Sequence, residues 1–338
     1  MTRPAALCAL GLATALPALS VACPGCQNPN LPVVPTGGVH LGGGDLQWGA
    51  LLSLAPIWVR HEDGCVDLAA CAKIPAQPKY VHDQFILPTE LRATLDWGLS
   101  SHWGLSVQLP VRLVATTIEY ETPTGEPYEP LDAGNHHRDE VLVGLGDPVV
   151  AARVGGVVGE AWWVVARLGA SLPLGRTEPN PFTAGDQGEA HQHIQFGSGT
   201  LDPFASLAVA RSAGPWQWSA YGQVQAALYE NSEGFQAGTT SLVSAGAAWR
   251  AAPRWLLQGS LAWFRQGAER WDGKIQQDGV LGRQELLVGL GTTVSFGGPQ
   301  YLLLVRAPVW REIFQGPDTE EGDLTAPVVL TVGVQGRI

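Results

Sequence analysis

The chain is 338 residues long, carries 31 acidic against 20 basic side chains and has a formal net charge of −11. A polyanion would need clustered Lys and Arg, which do not occur, so nucleic acid is excluded as a partner. Only the N-terminal stretch is continuously apolar, so no helix spans a membrane and any passage through a bilayer must be made by strands.

Residues 1–22 have the three parts of a secretory signal peptide. Met1-Thr2-Arg3 supplies the charge, Ala5 to Leu19 the apolar centre, and Ser20-Val21-Ala22 the small-residue cleavage site. Cleavage leaves Cys23 at the mature terminus. Lipidation of that cysteine is the alternative, but Ser20 stands where a lipoprotein signal normally has Leu. The mature chain keeps Cys23, Cys26, Cys65 and Cys71 in an oxidising compartment, where pairing is expected. Cys23-Pro24-Gly25-Cys26 has redox-pair spacing without a βαβ context, which leaves a local disulfide or a metal-binding pair. Residues 23–44 read as a periplasmic segment that is either a tether or a plug for a lumen.

From residue 45 to 338 the organising signal is alternation with period two. In Trp216 to Glu230 one face reads Trp216, Trp218, Ala220, Gly222, Val224, Ala226, Leu228, against Gln217, Ser219, Tyr221, Gln223, Gln225. The same split recurs in Leu87 to Leu99, Trp103 to Thr117, Trp162 to Leu174, Leu201 to Val209, Arg254 to Phe264, Arg283 to Phe296, Tyr301 to Arg311 and Ala326 to Ile338. It is weakest in Asp45 to Arg60, with Leu51 and Ile57 on the polar face, and in Glu140 to Val154, where a bulge at Asp147-Pro148 would account for the unclear parity. These runs are about twice the usual soluble strand and suit a tilted crossing of ~9–11 residues.

Short turns at 100–101, 155–160, 212–215, 251–253 and 297–299 alternate with long polar loops at 61–79, 121–139, 177–192, 231–238, 267–280 and 312–325. That asymmetry predicts an all-β transmembrane antiparallel β-barrel of about twelve strands, an up-and-down meander with both ends on the short-turn side. Each short turn carries interfacial aromatics: Trp97 and Trp103, Trp162 and Trp163, Trp216 and Trp218, Trp249 and Trp255, Phe296 and Tyr301. In this topology Cys23 and Cys26 lie on one side of the membrane and Cys65 and Cys71 on the other, so the expected pairs are 23 with 26 and 65 with 71.

The polar parity places Glu90, Arg92, Asp96, Arg112, Arg167, Asp202, Arg283, Glu285 and Arg306 toward the lumen. Either they line a wet pore or they pair and block a narrow one, since buried charge is costly unless paired or hydrated. His61, His136, His137, His191 and His193 fall in long loops; His191 and His193 would share one face of an extended segment and are weak metal candidates. The run Asp318-Thr319-Glu320-Glu321-Gly322-Asp323 reads as a solvated loop rather than a calcium site. No cofactor is expected.

Gly144-Leu145-Gly146-Asp147-Pro148 with Ala151-Ala152-Arg153, then Ser171-Leu172-Pro173-Leu174-Gly175, then Gly197-Ser198-Gly199-Thr200-Leu201-Asp202-Pro203 running into Ser206-Leu207-Ala208, follow one another over about a third of the chain. In order and spacing this region resembles the family of outer-membrane proteins named for the meta-pathway of phenol degradation. The resemblance implies an outer-membrane barrel of the transporter type, without implying phenol as substrate. The final Gly336-Arg337-Ile338 departs from the aromatic last residue common in such barrels.

The expected function is a channel for passive or facilitated diffusion of small solutes, apolar or aromatic compounds among them. Its partners would be outer-membrane lipid, the barrel assembly machinery and an unidentified small solute. A structural or adhesion barrel is the rival. A lipid hydrolase using His193 and Ser198, or a metal-binding surface protein, is weaker, because an odd separation sends those two side chains to opposite faces of a regular strand.

Overall fold

The computed structural model describes residues 28, 30–33, 41–63, 78–131, 134, 138–159, 161–187, 189–275, 280–315 and 322–338. The signal peptide, Cys23, Cys26, Cys65, Cys71, His136, His137 and most of the acidic run at 318–323 lie outside them.

Twelve antiparallel strands close on themselves. They are β1 (Leu46–Leu54, resumed as Ile57–Asp63), β2 (Tyr80–Gly98), β3 (Trp103–Glu121), β4 (Glu140–Leu145, resumed as Val149–Val158), β5 (Trp162–Ser171) and β6 (Asp202–Ala213). The ring continues with β7 (Trp216–Gln225), β8 (Thr240–Ala252), β9 (Trp255–Gln266), β10 (Val280–Ser295), β11 (Gln300–Gln315) and β12 (Gly322–Thr325, resumed as Val329–Arg337). Each pairs with its neighbour in sequence, and β1 closes on β12 through Leu52↔Val332. A minor two-residue ribbon joins Phe235–Gln236 to Arg270–Trp271, and one helical turn, α1 (Pro181–Asp186), lies in the loop after β5. Closure leaves no free edge around the ring, which is why a sheet can cross lipid at all.

The exterior is the apolar set. Leu95, Leu105, Leu109, Val143, Leu207, Val243, Leu257, Leu261, Leu290 and Leu303 are all exposed, an arrangement tolerable only against hydrocarbon. Trp97, Trp103, Trp162, Trp216, Trp218, Trp249, Trp255, Phe296 and Tyr301 ring the turn end on the outside, whereas Trp163 points the other way and lines an interior cavity. Trp58, Tyr229 and Trp310 mark the opposite rim.

Three strands are interrupted; β1 keeps its parity across the break (Leu54↔Thr89, Ile57↔Ile86), whereas bulges in β4 and β11 reset the alternation. In β4, Leu145 opposes Val111 and Val149 opposes Gln108, so three residues (146–148) span the space of two: a one-residue bulge at Asp147-Pro148. Outward residues are therefore Val141, Val143 and Leu145 before it but Val150 and Val154 after it. The partner register shifts likewise in β11 between Trp310 and Pro308, which turns Arg311 inward although Tyr301 and Val305 face out. The even-paced parity expected through Arg311 is corrected by that bulge. β2 also starts at Tyr80, seven residues before the expected Leu87, so His61 lies on a strand rather than in a loop.

Candidate functional site

Among the described residues the large interior is the lumen, and it is not simply polar. Ala55, Tyr221, Leu242, Ala262, Phe264, Leu287 and Val329 form a buried apolar layer across it, and Leu31 packs against that layer. A second layer of Val59, Ile86, Val114, Ile194 and Phe196 lies nearer the loop end. Ile57, which packs against the second layer, is visible in the sequence as an exception to the alternation on a strand otherwise polar inside.

Residues 28 and 30–33 run inside the barrel. Arg306 Nη1 donates to the Pro32 carbonyl at 3.3 Å, and Arg283 donates to the Asn30 carbonyl. Asn28 is held at the loop end: its backbone N–H and Nδ2 both donate to Glu269 Oε1 (3.3 and 3.0 Å), while its carbonyl accepts from Gln266 Nε2 at 3.0 Å. Leu41, fully buried, and Gly44, whose N–H donates to the Gly98 carbonyl at 2.7 Å, sit at the turn end. Described residues of this segment therefore lie at both ends of the lumen.

Most of the inward charges are paired. Glu90 is 3% exposed; its Oε1 accepts from Arg92 Nε at 2.8 Å and its Oε2 from Arg112 Nε at 3.0 Å. Arg167 meets Asp96 at 3.2 Å, and Glu285 accepts from Arg311 Nε at 2.9 Å with Arg283 at 3.4 Å. Asp202 accepts from the Thr200 hydroxyl. Two interior guanidiniums escaped the sequence reading: Arg311 and the 2%-exposed Arg153, each placed inward by a bulge that inverts its parity.

The three motif segments that carried the family resemblance converge on one carboxylate. Asp147 Oδ1 accepts from the Gly175 N–H at 2.8 Å, and its Oδ2 accepts from the Ser198 N–H and hydroxyl at 2.6 and 2.8 Å. Gly175 and Gly197 are required by close approach: a Cβ on either would come within 2.7 Å of the other's Cα. Asp147 thus ties the loop after β5 into the gap left by the β4 bulge, and that loop delivers Ile194 and Phe196 into the lumen. Asp147→Ala should strip three donors of their acceptor and destabilise the loop by about 2–3 kcal/mol. Limited proteolysis of residues 172–201 would show it, and unchanged protection would contradict the assignment.

The Ser198 hydroxyl is engaged by Asp147 and the Thr200 carbonyl. The His193 ring packs edge-on against Phe182 and His191, with His191 at 5.0 Å between centroids. Among the described residues no three His, Cys, Asp or Glu side chains converge as a metal set, there or elsewhere.

Two cavities flank the apolar layer. The smaller, about 120 Å³, is lined by Asn28, Leu31, Arg92, Gln108, Phe204 and Phe264. The larger, about 380 Å³, lies toward the turn end between Trp163, Arg167, Tyr221, Leu304, Arg306 and Gln335. The larger has the volume of a small-molecule site with apolar walls and a few polar groups.

No protein-family model and no curated protein matches the chain. Solved structures do. An outer membrane channel from Pseudomonas putida F1 aligns at 12% identity with a TM-score of 0.57, over 90% of this chain and 100% of that one. A Pseudomonas aeruginosa FadL homologue aligns at 8% and 0.43 (94% and 99% covered), and the P. putida toluene transporter TodX at 8% and 0.41 (88% and 90%). With the first of these, at a TM-score of 0.57, what is shared is the fold, a closed β-barrel.

Proposed function

We propose that the chain is an outer-membrane channel for passive or facilitated diffusion of small, weakly polar solutes, apolar and aromatic compounds among them. The observation that carries this reading is the apolar layer of Tyr221, Leu242, Phe264 and Leu287 across a lumen whose charges are largely paired. A wet pore would expose its charges to water. Here an ion would lose its hydration at the layer, while an apolar ring exchanges water for side-chain contact. The chamber beyond it is large enough to hold one such molecule. Residues 28 and 30–33 act as the plug, because the Asn30 and Pro32 carbonyls neutralise no charge yet occupy the guanidiniums of Arg283 and Arg306. The barrel would reside in outer-membrane lipid, inserted by the assembly machinery.

The test compares outer-membrane vesicles with and without the protein for uptake of a labelled monoaromatic probe and of a sugar of similar size. Uptake of the aromatic probe should rise several-fold and that of the sugar should not. Leu242→Asp should abolish the difference by hydrating the layer. Equal rates for protein-free and protein-containing vesicles, also after deletion of residues 28–33, would favour a structural barrel instead.

A further inference from the structure

On β7, β8 and β9 the outward face turns from Leu and Trp to small residues. Ala220 opposes Ala245 and Ala247 opposes Gly259, four outward positions without a long or branched side chain. Val209, Leu261 and Leu290 stand around them, and the result is an apolar groove of about 550 Å³ on the lipid side of the wall. Close packing does not require the glycine, since a Cβ on Gly259 would meet only Leu290 Cδ2 at 3.9 Å and the Gly289 carbonyl oxygen at 4.0 Å. Trp162 and Trp218 bound the groove at its turn end. Between them lies Arg211, the direct cross-strand partner of both, with its guanidinium 5.3 Å from the centre of the Trp162 ring.

From this arrangement we infer that the groove holds an acyl chain of an anionic phospholipid whose phosphate is bound by Arg211. Interfacial Trp side chains sit at headgroup depth. Arg211, between two of them, is therefore level with a lipid phosphate, and a chain descending from that phosphate enters the groove. The charge of this end is complementary, although the whole chain carries −11. Among the described residues of the turn end the side-chain carboxylates are those of Asp45 and Asp96, and both are paired, with Arg337 and Arg167. Arg211 and Arg254 are exposed there, and no carboxylate among the described residues pairs with Arg211. A guanidinium stacked on an indole still has its N–H fork for a phosphate. The bound chain would also brace the larger chamber, because Ala220, Ala245, Ala247 and Gly259 border that chamber as well as the groove. Little more than one layer of backbone separates the two.

The experiment is native mass spectrometry of the full chain in detergent, with phosphatidylglycerol and phosphatidylcholine of the same acyl chains added in equal amounts. Wild type should retain one phosphatidylglycerol about fivefold more tightly than phosphatidylcholine, the effect of one basic side chain at a lipid surface. Arg211→Gln should remove that preference. Arg265→Gln should keep it, since Arg265 is exposed at the loop end of β9 with its guanidinium 5.7 Å from the Phe314 ring. Ala247→Leu with Gly259→Leu fills the groove and should lose the retained lipid whatever its headgroup. A heat-shifted gel band verifies folding of each variant, with Ala247→Leu alone as the substitute should the pair fail it. A preference that survives Arg211→Gln, retention that survives filling of the groove, or displacement of the lipid by inorganic phosphate would overturn the inference. So would a wild-type dimer that the groove-filling variant converts to monomer without lipid, which would make this face a contact between two copies of the chain.

Discussion

Replacing Glu90 by alanine should destabilise the barrel by about 3–5 kcal/mol, the largest effect of any single substitution considered for the wall. The carboxylate sits at the centre of a triad. One oxygen accepts from Arg92, the other from Arg112, and Arg112 Nη1 continues to the Phe196 carbonyl at 3.0 Å. Removing the anion leaves two guanidiniums facing each other in a partly enclosed lumen, so the cost is that of uncompensated charge rather than of a lost contact. Glu90→Gln keeps the shape and one acceptor and should cost less. The triple variant Glu90→Leu, Arg92→Met, Arg112→Met should recover most of the loss, because paired charges often gain little over apolar residues of the same volume. Urea unfolding in micelles, followed by tryptophan fluorescence, measures all three. A Glu90→Ala midpoint within ~0.5 kcal/mol of wild type would show that water already screens the two arginines.

The triad also shows which parts of the lumen could be read from the chain. Glu90, Arg92 and Arg112 lie on long uninterrupted strands, where period-two alternation keeps a single parity and carries all three inward. The twelve strands and their turn asymmetry were legible for the same reason: lipid tolerates only one kind of face, so the pattern persists over many residues. Arg153 and Arg311 were lost because one extra residue in β4 and one in β11 reverse the parity, and a bulge leaves little trace in composition. The apolar layer was hidden differently. Leu242, Phe264 and Leu287 look like noise on a polar face until the pairing of three consecutive strands brings them together. The Asp147 knot was visible as three glycine-rich motifs but not as a single contact, because its parts are 28 and 51 residues apart.

Lumen closure should weaken as pH rises from 5 to 8, through Glu269. This residue lies in the loop after β9, where, among the described residues, Asn28 donates to its Oε1 twice. Burial raises its pKa from 4.5 to about 7, a rise the hydrogen bonds from Asn28 oppose but do not cancel. With Asn28 withdrawn, the carboxyl returns to water and its ordinary value. The docked state thus holds its proton more tightly. Its added stability is complete below pH 4.5 and is lost as pH climbs through 7, by at most about 3 kcal/mol. In planar bilayers the ionic leak of wild type should increase over this range, reporting departure of residues 28–33. Glu269→Gln, permanently neutral and still able to accept, should hold the leak at its low-pH level throughout. Deleting residues 28–33 should give the high-pH level at every pH, since nothing then remains for the loop to hold. A pH dependence that survives Glu269→Gln would assign the effect to another group. One that survives the deletion would show that the segment does not close the lumen.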